Sequence, residues 1–300
     1  MSLKFVISRP PKREVEQEAM GFRLNGTNKV HVLLVHGLTG TPVELYFLAG
    51  FLNRKGYSVT CPCLANHGRH IEILKKTTWQ DCYASVIGAL EEIPDAEPVY
   101  ACGLSMGALL ALLLSIDFPH RVQGVCAISP TLFYDGWNMP WYRSLLRVAY
   151  LWPLRDFLYF KEESPYGIKN TTIRDAVDRQ YRESDFHDTA TARKYGYPYF
   201  PLALLYQLDL LVRFLTARLP SVTAPVQLIQ ALDDDMTSLK NSQFIYDSIS
   251  SDTKELAIFN DSYHVITADQ ERQKVALKID EFFRRCRESG ERVCEALPYV

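Results

Sequence analysis

The stretch Val99-Tyr100-Ala101-Cys102-Gly103-Leu104-Ser105-Met106-Gly107-Ala108-Leu109-Leu110-Ala111-Leu112-Leu113-Leu114 decides the fold. A strand pattern over Val99–Leu104 runs straight into Gly103-Leu104-Ser105-Met106-Gly107, and a helical pattern from Met106 to Phe118 leaves it, stopped by Pro119. A G-x-S-x-G motif between strand and helix has the form of a nucleophile elbow. Its glycines supply space: a turn this sharp strains the serine backbone, and the residues flanking it must lack bulk. Such a turn lifts the hydroxyl to the carboxyl edge of a sheet. It also sets it at a helix N-terminus, whose dipole favours developing negative charge. The same stretch carries no charge between Glu97 and Asp117, which raises a membrane-spanning helix. Gly103, Ser105 and Gly107 interrupt it, so a buried strand, turn and buried helix read better.

Outward from this core, short β-branched runs alternate with helical patterns, the rhythm of a parallel sheet. Val30–Val35 is almost continuously apolar, as a strand covered on both faces requires. Thr41-Pro42 opens a helix carrying Leu45, Leu48 and Leu52, and Gly56 closes it. Tyr57–Leu64 reads as a strand, Trp79–Ile93 as a helix and Val122–Ile128 as a strand. The rhythm then breaks: from Thr131 to about Ala224 only helical patterns rich in aromatics are expected. Strands resume at Pro225–Leu232 and Glu255–Phe259 around a helix at Ser238–Ser250. Asp269–Arg287 forms a last amphipathic helix with Val275, Ile279, Phe282 and Phe283 on its inner stripe. The expectation is an α/β fold with a mostly parallel central sheet and helices on both faces. Residues 1–130 and 225–300 would form the sheet domain and 131–224 a helical cap insertion.

Length and composition agree. A chain of 300 residues, 47% apolar and 23% charged, is globular and can bury about 75% of its unfolded surface without disulfide or metal staples. Lys and Arg total 33 against 35 Asp and Glu, a net charge of −2. That balance argues against a nucleic-acid partner, since phosphate binding runs on excess Lys and Arg. Seven cysteines cannot all pair and are not spaced like a secreted scaffold, which favours a reducing, cytoplasmic setting. The apolar run near Met1 is too short for a signal-peptide core.

An isolated serine is a poor nucleophile and needs a base and an orienting acid. Elbow sites of this kind present their parts in the chain order serine, acid, histidine. His264, in Asp261-Ser262-Tyr263-His264-Val265 just after the last strand, can reach Ser105 from the same sheet edge. His31 falls within a strand, His120 in a loop and His187 in the insertion. The acid should follow the preceding strand, where Asp233-Asp234-Asp235 offers three candidates that spacing alone does not separate. Two backbone amides must face the developing oxyanion. One is Met106, after the nucleophile; the other is Leu38, in the glycine-bent turn His36-Gly37-Leu38-Thr39-Gly40 after the first parallel strand.

These blocks, with Gln230-Ala231-Leu232-Asp233-Asp234-Asp235-Met236 and Tyr263-His264-Val265-Ile266-Thr267-Ala268-Asp269, resemble α/β-hydrolases of the bacterial carboxylesterase and monoacylglycerol-lipase group. Asn66-His67-Gly68 is similar to a Gly-His-Gly turn of that group, with Asn66 in place of the first glycine. The resemblance implies the α/β-hydrolase fold. It also implies that the middle acid, Asp234, is catalytic, leaving Asp233 and Asp235 solvated. The insertion is longer and more aromatic than the small lids of the group.

Cys61, Cys63, His67 and His70 fall close together, but their spacing matches no zinc pattern, and the two cysteines would share one face of a buried strand. No metal and no cofactor are expected. Trp137, Trp141, Tyr142, Tyr150, Trp152, Phe157, Tyr159 and Phe160 either pack the cap onto the sheet domain or line an acyl pocket. Arg143 and Arg147, one helical turn apart, leave room for weak contact with a lipid interface. Pro201–Leu219 should be a structural helix beneath the cap. The function expected is a serine ester hydrolase taking carboxylic esters with short to medium acyl chains, monoacylglycerols included, through an acyl-enzyme. The alternatives are acyl transfer or thioester cleavage on the same residues, or noncatalytic ligand binding.

Overall fold

Seven strands form the central sheet of the computed structural model, which describes residues 2–5, 21–139, 150, 154–183 and 188–295. They are β2 (Phe22–Leu24), β3 (His31–Val35), β4 (Ser58–Cys61), β5 (Val99–Leu104), β6 (Val122–Ile128), β9 (Val226–Ala231) and β10 (Lys254–Phe259), counting three more strands described below. Their order is β10-β9-β6-β5-β3-β4-β2. Only the edge strand β2 runs antiparallel, pairing Phe22 with Cys61. Every residue of β3, β5 and β9 is buried, as in strands covered on both faces, the polar His31, Gln227 and Gln230 included. Val35 lies beside Gly103 and Leu104 beside Ile128. This register brings the loops leaving the carboxyl ends of β3, β5, β6, β9 and β10 to one edge, where open α/β sheets bind ligands.

Helices cover both faces. On one, α1 (Tyr46–Arg54) and the C-terminal α9 (Arg272–Glu295) bury Leu48, Leu52, Val275, Ile279, Phe282 and Phe283 against Val32, Leu34 and Cys102. On the other lie the short α2 (Ile71–Leu74), α3 (Trp79–Glu91), α4 (Met106–Asp117) and α8 (Lys240–Ser248). Helix α3 starts on a reciprocal cap between Thr78 and Asp81. Helix α4 is apolar all round because it is covered twice: the sheet lies beneath it and α7 (Leu202–Thr216) packs on its outer side. Helix α7 is the structural helix expected over Pro201–Leu219, burying Leu204, Leu208, Leu211 and Leu215. The strand expected over Tyr57–Leu64 is shorter, because Pro62 cannot donate to the ladder and ends it at Cys61.

The stretch read as purely helical contains strands as well. Two short strands, β7 (Leu158–Lys161) and β8 (Tyr199–Pro201), pair antiparallel with each other and with β1 (Ser2–Phe5) in a separate sheet ordered β1-β7-β8. Runs of three and four residues carry no readable period, and β1 arrives from the far end of the chain. Between them stand α5 (Thr171–Glu183) and α6 (Thr189–Tyr195). Tyr159 and Phe160 are buried, whereas Trp137 and Phe157 are 59% and 44% exposed. Trp141, Tyr142, Arg143, Arg147, Trp152 and His187 lie outside the described residues. Among the described residues no helix is long and apolar enough to cross a membrane.

Candidate active site

Ser105 sits between β5 and α4 with φ 58° and ψ −118°, a left-handed conformation costly for any residue but glycine. The flanking glycines are forced by space. A Cβ on Gly103 would overlap the Gly107 carbonyl, and one on Gly107 would overlap the Val35 carbonyl. The strain points the hydroxyl out over the sheet edge. There the Ser105 oxygen lies 3.0 Å from His264 Nε2.

His264 occupies the loop after β10. Its carbonyl accepts from Ser129 Oγ at 2.8 Å, which fixes the backbone. Its Nδ1 lies 3.1 and 3.0 Å from the two carboxylate oxygens of Asp234. Asp234 is held in turn: Oδ1 accepts from the Met236 and Thr237 amides at 2.9 and 2.8 Å, and Oδ2 from Thr237 Oγ1 at 3.0 Å and Gln230 Nε2 at 3.1 Å. Since a carboxylate only accepts, the hydrogen is assigned to Nδ1, leaving Nε2 free to accept from Ser105. Burial lowers the imidazole's affinity for a proton. Asp234, by charge and hydrogen bond, and the charges of Asp235 and Glu44 outweigh it, so the His264 pKa rises above 6.5.

The three consecutive aspartates separate cleanly. Asp233 points to solvent, 58% exposed and 3.5 Å from Lys169. Asp235 is not solvated as expected but 1% exposed. Its oxygens accept from the Gly167 amide at 3.2 Å and the His264 amide at 3.3 Å, joining the insertion to the histidine loop. A partner that far along the chain, Gly167, could not be read from spacing. Burial raises the Asp235 pKa to about 6.

The turn after β3 is braced by two histidines. His36 Nδ1 donates to the Gly37 carbonyl at 3.0 Å while its Nε2 accepts from the Leu64 amide at 3.0 Å. A trans peptide carries its N–H opposite its carbonyl, so this bond aims the Leu38 amide away from His36. His67 Nε2 donates to the Leu38 carbonyl at 2.7 Å. Asn66, at φ 62°, adopts the left-handed turn that a glycine would otherwise supply. The Met106 amide lies in the first turn of α4, where backbone N–H groups have no partner within the helix. Of the four residues weighed as metal ligands, His67 bonds the Leu38 carbonyl and His70 Nδ1 accepts from the Glu72 amide at 3.2 Å. Pro62 also places Cys63 beyond the strand, and no metal-holding cluster occurs among the described residues.

Above Ser105 opens a cavity of about 330 Å³, lined by Leu38, Tyr134, Ile173, Val177, Tyr181 and Phe200, with Glu44 and Glu162 at its polar side. Glu44 Oε1 accepts from the Gly37 amide at 2.6 Å. Burial raises Glu44 to about 7 and Glu162 to about 8. Sequence reading missed both acids, as well as Ser129 and Thr131. Glu44, seven residues beyond Gly37, gives no signal of reaching back to its amide; Glu162 follows a strand too short to detect.

The family model for serine aminopeptidase, S33 matches residues 26–271. A carboxylesterase from Bacillus subtilis (strain 168) is 26% identical over 266 residues, covering 88% of this chain and 96% of its own. A thermostable monoacylglycerol lipase from Bacillus sp. (strain H-257) is 29% identical over 259 residues, covering 85% and 91%. Among solved structures, a metagenome-derived lipolytic enzyme superposes with a TM-score of 0.71 at 26% identity, over 88% of this chain and 97% of its own. A monoacylglycerol lipase from Paleococcus ferrophilus gives 0.70 at 20% identity, over 90% and 100%, and supports the fold alone.

Proposed function

Because the chain belongs to the serine aminopeptidase S33 family and has the α/β-hydrolase fold, we propose that it is a serine ester hydrolase whose catalytic triad is Ser105, His264 and Asp234. The observation that carries this reading is the unbroken chain of hydrogen bonds from Ser105 through His264 to Asp234 at the floor of a largely apolar cavity. His264 takes the Ser105 proton as the oxygen attacks the ester carbonyl, and Asp234 holds the tautomer and stabilises the imidazolium. The Leu38 and Met106 amides receive the oxyanion. His264 then protonates the leaving alcohol and activates water to release the acid.

The substrates are carboxylic esters of short to medium acyl chains, monoacylglycerols among them. The apolar wall gains about 0.8 kcal/mol per buried CH₂, and Glu44 and Glu162 offer acceptors to a hydroxylated alcohol portion. The similarity to a carboxylesterase and a monoacylglycerol lipase supports that choice. Residues 131–224 form the cap over this cavity, and the aromatic surface of that cap touches lipid interfaces only weakly. The protein is cytoplasmic, consistent with the buried thiols Cys61, Cys82, Cys102 and Cys126, and takes no nucleic acid.

The test is a panel of aryl esters of increasing chain length, run beside a monoacylglycerol and an acyl-CoA, with added alcohols to reveal transfer. Activity rising from acetyl to medium chains, with free acid as product, is expected. Best activity on acetyl esters, on the thioester, or with the added alcohol as acceptor would replace this substrate class.

A further inference from the structure

We propose that Thr131 is a further catalytic residue, whose hydroxyl donates to the Ser105 oxygen and stabilises the negative charge that gathers there as the proton leaves. The proposal rests on the reading of Ser105 as nucleophile.

Thr131 lies in the loop after β6, 1% exposed, with its Oγ1 2.9 Å from Ser105 Oγ. Hydrogen counting fixes the direction of that bond. Asp234 holds the hydrogen of His264 on Nδ1, so the single Ser105 hydrogen goes to Nε2. Toward Thr131 the Ser105 oxygen can then only accept, and Thr131 donates. The threonine is held in place from outside the site. Asn241 Oδ1 accepts from the amides of Leu132 and Phe133 at 2.8 and 2.6 Å, pinning the loop immediately after it.

During attack the Ser105 O–H bond breaks and its hydrogen passes to His264 Nε2. A lone pair of the Ser105 oxygen forms the bond to the carbonyl carbon, and the carbonyl π pair moves to the oxyanion. Thr131 keeps its own hydrogen throughout; what changes is the charge on the atom it donates to. A hydrogen bond to an oxygen bearing negative charge is about twice as strong as one to a neutral oxygen, so the contact is tighter on the way to the transition state than at rest. Once the oxygen belongs to the acyl ester it accepts poorly. The Thr131 hydrogen then has the Ser129 carbonyl, 3.4 Å away, to turn to.

The test compares Thr131→Val, which keeps the shape and loses the hydroxyl, with Thr131→Ser, which keeps the hydroxyl. The readouts are ester kcat and KM, and the rate of inactivation by a fluorophosphonate with the adduct mapped by mass spectrometry. Thr131→Val should lower kcat and the inactivation rate about tenfold, about 1.4 kcal/mol, with KM unchanged, while Thr131→Ser stays within about twofold of wild type. If the valine variant does not fold, Thr131→Ala against Thr131→Ser gives the same comparison, since both lose the methyl and only one the hydroxyl. A valine or alanine variant as fast as wild type overturns the proposal, as does a serine variant that falls with them. A wild-type adduct on a residue other than Ser105 overturns the nucleophile assignment itself, which separates the two failures.

Discussion

Replacing Asp234 with asparagine removes one negative charge and exchanges one acceptor for a donor, and the structure says where that donor goes. Oδ1 accepts two backbone amides, Met236 at 2.9 Å and Thr237 at 2.8 Å. An asparagine keeps its carbonyl there, so its NH₂ takes the Oδ2 position, 3.0 Å from His264 Nδ1. Nδ1 then faces that donor at 3.0 Å and the uncharged carbonyl at 3.1 Å, so the pull that fixed its hydrogen is weakened and the opposite tautomer is favoured. In that tautomer the hydrogen sits on Nε2, 3.0 Å from the Ser105 oxygen, which has no base left to take its proton. A histidine held in the wrong tautomer costs about 10⁴ in turnover, about 5.4 kcal/mol of barrier. The assay is ester kcat at neutral pH for Asp234→Asn and Asp233→Asn side by side, with circular dichroism to show that both fold. Asp233→Asn, altering a solvated side chain, should stay within about tenfold of wild type. An Asp234→Asn variant within tenfold of wild type, or a larger loss at Asp233, would refute the tautomer argument.

Asp235→Ala strands the Gly167 and His264 amides, each worth about 1–3 kcal/mol when buried without a partner; urea unfolding should show a loss of about 2–6 kcal/mol, against about 0.5 kcal/mol or less for Asp233→Ala. Glu44 and Glu162, raised by burial to about 7 and 8 from an ordinary 4.5, hold protons that the unfolded chain releases. Their contribution to stability therefore falls as pH rises from about 4.5 toward 8, and Glu162→Gln should flatten the melting-temperature profile over that window; an unchanged slope would count against a protonated Glu162. Chelators should leave ester hydrolysis unchanged, and activity lost to EDTA and restored by zinc would return Cys61 and His67 to consideration.

Legibility in the sequence followed the range of the interactions. Strands β3, β5, β6 and β9 and helix α4 announce themselves because burial on both faces leaves predominantly apolar runs, broken only by His31, Gln123, Gln227 and Gln230 in the strands and by the helix's own end residues. Ser105 is marked by its glycines, whose absence of side chains is a local necessity of the turn. His264 is marked by chain order and by its place after the last strand. Asp234 could be chosen over its neighbours only through the family resemblance, since the partners that distinguish it, Met236, Thr237 and His264, are visible only once folded. The burial of Asp235 depends on Gly167, 68 residues away, and the contact of Thr131 with Ser105 on a loop pinned by Asn241. Such long-range pairs leave no periodic trace. The small sheet of β1, β7 and β8 escaped for the same reason: its strands are short, and one comes from the opposite end of the chain.

The central claim is that Ser105 carries the acyl group, and the most direct measurement is the rate of ester hydrolysis by Ser105→Ala in a protein whose fold is verified. Without the nucleophile only binding and the oxyanion amides remain, and turnover should fall on the order of a million-fold. A folded Ser105→Ala variant that hydrolyses the ester within about a hundredfold of wild type, about 2.7 kcal/mol of barrier, would contradict the account.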